Sequence, residues 1–187
     1  LNTRYVIVPD QQTGRLSVQH NPEANGAAWF VDSVAFVETP DLEIDALTTT
    51  DTKRVAVVDE RFADALQGAV PAADSTASIR MTEYRVNLQR YEYTAPAEGV
   101  AVFSEIYYPH GWTAYVDGEE APYFRADYVL RAMALPAGNH TVEFRFRAPH
   151  YAALTAVTRA CSLLLLAGLV AAVSVAAVRK RKQTENS

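Results

Sequence analysis

An uncharged apolar segment near the C-terminus constrains this chain more than any other feature of its sequence. From Ala160 to Val178 there is no charged residue and no proline, and about 20 apolar residues in a helix match the roughly 30 Å hydrocarbon core of a bilayer. The basic run Arg179–Lys182 follows at once. A buried helix of a soluble protein is the alternative, which this length and this basic flank disfavour. We therefore expect a transmembrane helix over residues 152–178.

The basic residues after this segment predict its orientation. Lysine and arginine close to a helix end stay on the cytoplasmic side, so the tail, 179–187, is predicted to be cytoplasmic and residues 1–150 extracytoplasmic. The charge distribution agrees with two different surroundings, because 12 basic and 21 acidic residues precede Tyr151 whereas five basic and one acidic residue follow from there. The net charge of -5 argues against nucleic acid as a partner.

The region before the apolar segment has the alternating pattern of β-strands. Within Asn139–Arg147, Val142, Phe144 and Phe146 alternate with polar residues, which predicts a strand with one face in the core. The run Val100–Tyr108 is almost continuously apolar, which favours a strand covered on both faces. Other predicted strands are Arg4–Pro9, Ala28–Val37, Val55–Val58, Ser78–Leu88, Trp112–Val116, Ala121–Arg125 and Tyr128–Leu135, with Asp117-Gly118 as a tight hairpin turn. These patterns predict a mainly β fold, an antiparallel β-sandwich-like domain followed by a single transmembrane α-helix.

Two short helices and a linker complete the expected organisation. The segment Asp41–Leu47 is predicted to form a helical turn capped by Asp41, and Arg61–Leu66 a second one. Residues 68–78 are small, contain a proline and become polar at their end, which is typical of a linker. The predicted divisions are a mixed α/β segment over 1–68, a linker over 69–77, an antiparallel β-sandwich-like domain over 78–150, the transmembrane helix over 152–178 and the basic tail over 179–187.

The sequence contains no arrangement of residues that predicts catalysis. Its four histidines lack the HxH or HExxH spacing of metal sites, and there is no glycine-rich phosphate loop and no GxSxG motif. The single cysteine, Cys161, excludes an intramolecular disulfide. We therefore expect no catalytic residue, no metal site and no cofactor in this chain.

Aromatic residues around two predicted hairpins are the candidate substrate-binding residues: Tyr107, Tyr108, Trp112 and Tyr123. Such rings stack on sugars or lie at a lipid headgroup interface. They also fill sandwich cores, with the tyrosine hydroxyls at the rim. The core interpretation is favoured, and both alternatives stay open. Because Trp112 follows a Pro-His-Gly turn, we expect its ring to be half exposed.

Several segments are together similar to one known family. They are Val100–Pro109, Gly111-Trp112, Ala114–Gly118, Arg125–Arg131, Pro136–Gly138 and His140–Phe146, with Leu1–Ile7, Asn21–Glu23 and Ala28–Val31 before them. These segments resemble the C-terminal region of the YfhO family, which consists of large bacterial multi-pass membrane proteins related to lipid-linked-sugar glycosyltransferases. The resemblance spans nearly the whole chain, and its most specific part runs from Val100 to Phe146.

The resemblance implies an extracytoplasmic β-domain before the last transmembrane helix of a protein in the bacterial cytoplasmic membrane. It implies three partners: the lipid bilayer, the remaining transmembrane core and a glycan or lipid-linked sugar. The family's presumed catalytic acidic residues lie in that core, so none is assigned here, and Leu1 in place of Met also predicts a fragment or a processed chain. The expected function is that of a non-catalytic accessory domain in cell-envelope glycan or polymer modification. The alternatives are a membrane-anchored carbohydrate-binding domain and a purely structural β-domain.

Overall fold

Strands, most of them antiparallel, are the main secondary structure of the chain in a computed structural model, which describes residues 2–10, 14–66 and 76–185. By their internal contacts the residues form two units, Leu1–Arg147 and Ala148–Ser187. The strands are β1 (Tyr5–Pro9), β2 (Leu16–His20), β3 (Ala28–Val31), β4 (Ser33–Val37), β5 (Val55–Asp59), β6 (Ser78–Arg85), β7 (Leu88–Ala95), β8 (Gly99–Ile106), β9 (Trp112–Val116), β10 (Glu119–Ala121), β11 (Phe124–Ala126), β12 (Leu130–Leu135) and β13 (Gly138–Phe146). The helices are α1 (Pro40–Ala46), a 3-10 helix (Glu60–Leu66) and α2 (Tyr151–Glu185). The prediction of a mainly β chain with antiparallel sheets and one C-terminal apolar helix is confirmed.

Two sheets form the first unit. A five-stranded sheet has the order β10-β9-β13-β7-β6, and a four-stranded sheet has the order β11-β12-β8-β3. The strands β4 and β5 form a separate parallel pair, and β1 and β2 a separate antiparallel hairpin. Because β3 pairs with β8, the four-stranded sheet includes a strand that precedes the predicted linker. Residues 69–75 of that linker lie outside the described residues, so the division at this point stays a prediction.

The four-stranded sheet is buried on both faces. Along β8, Ala101 and Phe103 pack in a core shared with the five-stranded sheet. Val100 and Val102 instead pack in a second core, together with residues of β5 and the 3-10 helix. All four side chains are fully buried. The continuous apolar run therefore forms a strand covered on both faces, as predicted.

The predicted strand Ser78–Leu88 is wrong in its length. The chain reverses at Val86 and Asn87, so that β6 and β7 form a hairpin in which Arg85 pairs with Leu88. Across a two-residue turn, an even-numbered residue of one strand pairs with an odd-numbered residue of the next, and Tyr84 therefore lies opposite Gln89. In the sequence, apolar and polar residues continue to alternate through this turn, which is why the segment is predicted as a single strand.

A second predicted strand, Ala28–Val37, divides at Asp32. The backbone N–H groups of Asp32 and Ser33 both donate to the carbonyl of Arg54, at 2.7 and 3.1 Å. This contact ends β3, so that β4 leaves the four-stranded sheet and pairs with β5 in parallel.

The N-cap of α1 also differs from the prediction. The side-chain hydroxyl of Thr39 accepts a hydrogen bond from the backbone N–H of Leu42, at 3.3 Å, and Pro40 lies in the first turn. Threonine followed by proline is a favoured helix start, because proline has no N–H to satisfy. The cap is therefore Thr39 and not Asp41.

The Asp117-Gly118 turn forms as predicted between β9 and β10. Both residues have positive φ, 51° and 90°, as a tight two-residue hairpin requires. The Asp117 carboxylate accepts from the Thr141 backbone N–H at 2.8 Å and contacts His140 Nδ1 at 2.5 Å. The hydrogen bond that His140 donates to the Asp117 carboxylate raises the pKa of His140, and the same bond lowers the pKa of Asp117.

The two faces of β13 are not divided as simply as the alternation predicts. Val142 and Phe144 are fully buried as expected, but Phe146 is only half-buried. Glu143 on the opposite face is also buried. Its carboxylate accepts from Arg90 Nε at 2.6 Å and Arg145 Nε at 2.8 Å. A charged residue on the nominally polar face is thus covered by its own ion pairs.

The second unit is the helix α2. Its segment Tyr151–Ala177 is long and apolar enough to cross a membrane, and none of it is buried in the structure. An apolar helix exposed on all sides is what the composition of a membrane span requires. The helix continues past the apolar segment to Glu185.

Candidate functional site

A cavity of about 570 Å³ lies beside the turn between β11 and β12. Its walls come from α1, the loop after α1, β3 and the turn itself. It is lined by Asn2, Trp29, Ile44, Leu47, Thr48, Thr50, Thr52, Asp127, Tyr128, Val129 and Leu130. Small-molecule sites have volumes of roughly 300–1,000 Å³ and combine apolar walls with a few polar groups, which describes this cavity.

Asp127 is the charged residue of the cavity. It is 4% exposed, and its Oδ1 accepts from the Val57 backbone N–H at 2.9 Å. Its own N–H donates to the Val57 carbonyl at 2.8 Å. The other carboxylate oxygen, Oδ2, is buried and has no hydrogen-bond partner in the described parts of the chain. Burial raises the pKa of Asp127 to about 6.

The backbone of this turn is strained. Asp127 and Tyr128 both have positive φ, 49° and 69°, a region that costs free energy for residues other than glycine. Such strain persists only where the surroundings hold the backbone in place. Here the backbone N–H of Tyr128 donates to Glu43 Oε1 at 2.8 Å.

Glu43 holds the turn from inside the protein. It is 0% exposed although it carries a carboxylate. Arg125 pairs with it, and the same guanidinium lies 3.6 Å from Asp59 Oδ2. Since a buried charge is tolerated only when it is paired, this ion pair joins α1 to β11 and fixes one wall of the cavity.

The four aromatic residues predicted as candidates lie together in a different part of the domain. The Tyr123 hydroxyl donates to the backbone carbonyls of Tyr108 and Trp112, at 3.2 and 3.3 Å. The rings of Tyr107 and Tyr123 have their centres 5.5 Å apart. Tyr123 also meets Phe144 edge to face at 5.7 Å. These four residues, which are close in the sequence, are therefore also close in the structure.

A buried arginine supports this aromatic cluster. Arg131 is 3% exposed, and its guanidinium carbon lies 4.3 Å from the centre of the Trp112 ring. Its Nε donates to the Ile106 carbonyl at 2.9 Å and its Nη1 to Gln89 Oε1 at 3.0 Å. Burial lowers the pKa of Arg131. Cation–π contact and neutral acceptors hold this charge.

The cluster is partly exposed at its edge. Tyr107, Trp112 and Tyr123 are half-buried, while Tyr108 is 51% exposed. These contacts fit a packed edge of the core, and the role of the four residues in substrate binding stays a prediction.

Replacing Trp112 with alanine should lower the free energy of unfolding by roughly 2 kcal/mol, less than the 3–5 kcal/mol of a fully buried ring. The variant loses the ring that Arg131 contacts, together with its contact to Phe146. Tyr108→Ala is the matched control, because its backbone carbonyl still accepts from Tyr123 and an exposed side chain costs only about 0.5 kcal/mol. Denaturant unfolding of the chain in detergent micelles measures the free energy of unfolding of both variants. Equal losses would contradict a packing role for Trp112.

A family model described as "Bacterial membrane protein YfhO" matches residues 45–158, more than half of the chain. The chain belongs to the YfhO family. The matched region begins within α1, includes every strand from β5 to β13 and ends in the first part of α2. Both Asp127 and the aromatic cluster lie within it. The family predicted from the sequence is therefore confirmed, and so is the prediction of a membrane protein.

No curated protein and no solved structure shows a significant match to this YfhO chain.

The cavity around Asp127 was missed from the sequence. The segment Arg125–Arg131 is among those that resemble the YfhO family, but it reads as an ordinary strand and turn. Asp127 itself gave no signal, because aspartate is an ordinary turn residue between two strands. The contacts that make it a site come from Glu43 and Val57, which are distant in sequence.

Proposed function

We propose that this chain is the extracytoplasmic accessory domain and last membrane span of a longer YfhO-family protein in the bacterial cytoplasmic membrane. The longer protein resembles lipid-linked-sugar glycosyltransferases and would modify a cell-envelope glycan or polymer. Its transmembrane core would carry out the catalysis, and the β-domain would act without catalytic residues of its own. The observation that carries this proposal is the family match, which runs without a break from the β-domain into the apolar helix.

The basic flank of the helix supports the proposed orientation. Arg179 to Lys182 directly follow the apolar segment, and lysine and arginine near a span are retained in the cytoplasm. The cytoplasmic tail would then be 179–187, with residues 1–150 on the outer side. The acidic excess of the first 150 residues is compatible with that placement, because acidic residues contribute little to orientation.

The test is removal of the β-domain from the longer protein. A deletion of residues 28–147 should abolish glycan or polymer modification in cells while the protein still inserts. The reason is that the deletion removes all strands of both large sheets but leaves α2 and its basic flank. Modification is measured on isolated envelope polymer, insertion by resistance of the protein to alkaline extraction from membranes, and orientation by a reporter fused after Ser187 that is active only outside the cytoplasm and should stay silent.

The matched control is the intact protein with the same reporter. Replacing Arg179–Lys182 by glutamine in that control should weaken the orientation. Full modification by the deletion variant would refute an accessory role, and an active reporter on the intact protein would refute the proposed topology.

A further inference from the structure

We propose that the β1–β2 hairpin docks on the surface of the bilayer that holds α2, with one apolar face in the headgroup region of a leaflet that contains anionic phospholipid. This proposal goes beyond the accessory role and does not depend on it. It requires only that α2 lies in a bilayer, which the length and apolar composition of the helix suit.

One face of the hairpin is apolar and exposed. Residues that lie directly opposite each other in an antiparallel pair point to the same face. The pairs on this face are Tyr5–His20, Ile7–Val18 and Pro9–Leu16. Its four large apolar side chains, those of Tyr5, Ile7, Leu16 and Val18, are 54–74% exposed. An exposed apolar patch of this kind marks a contact with a partner protein or a membrane.

The base of the hairpin is fixed to the rest of the domain. The side chain of Asn2 donates to Ser104 Oγ of β8 at 3.0 Å and accepts from the Asn25 backbone N–H at 2.6 Å. The Arg4 carbonyl accepts from the Asn21 backbone N–H at 2.9 Å. In the described part of the chain β1 and β2 nevertheless pair only with each other. The hairpin therefore presents its apolar face from a fixed base, without a sheet that covers it.

The size of this face favours a bilayer over a second copy of the chain. Two strands of five residues measure about 16 Å by 10 Å, or on the order of 160 Å², whereas a stable interface buries about 800 Å² on each partner. A bilayer does not require that area, because residues 147–150 alone separate β13 from α2. Such a short tether keeps the domain close to the membrane and raises the effective concentration of the hairpin there.

The charges of the hairpin favour a leaflet with anionic lipid. Residues 1–20 carry two arginines and one aspartate, whereas residues 21–150 carry ten basic and 20 acidic residues. Anionic headgroups attract the first segment and repel the second. The Arg4 guanidinium carbon lies 5.6 Å from the centre of the Tyr5 ring, and tyrosine and arginine are both residues that lie at the headgroup level.

The free edges of the hairpin limit how deeply it can enter. Backbone N–H and C=O groups without partners are costly in hydrocarbon, and the outer edges of β1 and β2 pair with no further strand among the described residues. The backbone must therefore stay hydrated while the side chains reach below the headgroups. We expect a depth of about 5–10 Å, as for other interfacial segments.

The experiment places a fluorescent label on the hairpin of the whole chain in vesicles of phosphatidylethanolamine and phosphatidylglycerol. Serine replaces Cys161, the single cysteine, and Leu16→Cys then carries a nitrobenzoxadiazole label. Lipid brominated near the acyl carbonyl should quench the label at least twofold, and lipid brominated near the chain end should quench it less. Vesicles of phosphatidylcholine, which carry no net charge, should give weaker quenching.

The control label is attached through Val86→Cys, at a 93% exposed apolar residue in the turn between β6 and β7. It should show no quenching, because that turn has no apolar face of its own. Quenching at position 16 no greater than at position 86 would overturn the proposal. A blue-shifted emission at position 16 without quenching would do so as well, since it would place a protein, such as a second copy, on this face.

Ile7→Thr combined with Val18→Thr tests the apolar face itself. Threonine keeps the branched Cβ that suits a strand, so near-ultraviolet circular dichroism should be unchanged while quenching at position 16 falls at least twofold. Val6→Thr on the opposite face is the matched control and should leave the quenching unchanged.

Unchanged quenching in the double variant would refute docking through the apolar face, and equal quenching in phosphatidylcholine would refute the role of anionic lipid. The deletion of residues 28–147 described above leaves the hairpin in place and is read on polymer modification, so either test can fail without the other.

Discussion

Replacing Phe144 with alanine should lower the free energy of unfolding by about 3–5 kcal/mol, the range for a fully buried aromatic ring. Phe144 is 0% exposed and lies between the two large sheets. Its ring meets Phe103 at 5.0 Å and Tyr91 at 6.2 Å, both edge to face. Its loss leaves a cavity that strands on either side cannot close without breaking their hydrogen bonds, and the guanidinium of Arg131 loses one of its aromatic contacts.

Denaturant unfolding of the chain in detergent micelles, followed by near-ultraviolet circular dichroism, measures this effect. Tyr84→Ala is the matched control, since Tyr84 is also an aromatic residue of the five-stranded sheet but is 64% exposed. It should change the free energy of unfolding by about 0.5 kcal/mol or less. A loss below about 1 kcal/mol for Phe144→Ala would show that the ring does not support the core.

The second large effect is expected at the buried ion pair. Arg125→Met should cost about 3–5 kcal/mol, because it leaves Glu43 as an unpaired carboxylate inside the protein. The cost comes from the charge that remains. Removing that charge as well should therefore restore stability, and Arg125→Met with Glu43→Gln should be more stable than Arg125→Met alone. The glutamine carbonyl still accepts from the Tyr128 N–H.

Lys53→Met provides the control for this pair. Lys53 and Glu23 form an exposed ion pair at 2.9 Å, and such pairs contribute about 0–1 kcal/mol. The wild-type chain, Arg125→Met, the double variant and Lys53→Met are compared by their free energies of unfolding. A double variant as unstable as Arg125→Met would show that packing of the arginine side chain matters, and that the buried charge of Glu43 does not.

Much of the fold follows from local patterns in the sequence. Period-two alternation identifies β13, a continuous apolar run identifies β8, and the Asp117-Gly118 dipeptide identifies the turn after β9. These signals are local because one strand and its two faces determine them. The apolar segment before Arg179 identifies the C-terminal helix for the same reason, since bilayer thickness fixes its length.

The misses have two physical origins: a local turn that lacks the usual turn residues, and pairing between distant segments, which local patterns do not record. Val86 and Asn87 form a turn without glycine or proline, so the alternation passes through it. Glu143 is buried because Arg90 comes from a neighbouring strand. The cavity requires α1, β3 and the β11–β12 turn to meet, and no spacing in the sequence records that meeting. The aromatic candidates, in contrast, are close in sequence and were found as a group.

The pairing of β3 with β8 has a consequence for the rate at which this domain folds. Val31 lies opposite Val100 at the end of the pair where the connecting chain is shortest, so the chain from residue 31 to residue 100 must form a closed loop before this pair of strands gains any hydrogen bond. Loop closure over such a length costs entropy in advance of the contacts that repay it, and proteins rich in distant antiparallel pairs fold in milliseconds to seconds. Both strands of this pair are synthesised before α2. All strands of the sheet have therefore been synthesised by the time the ribosome completes the apolar segment. Assembly of the sheet and insertion of the helix can therefore overlap in time, with the slow search for the distant partner strand setting the pace.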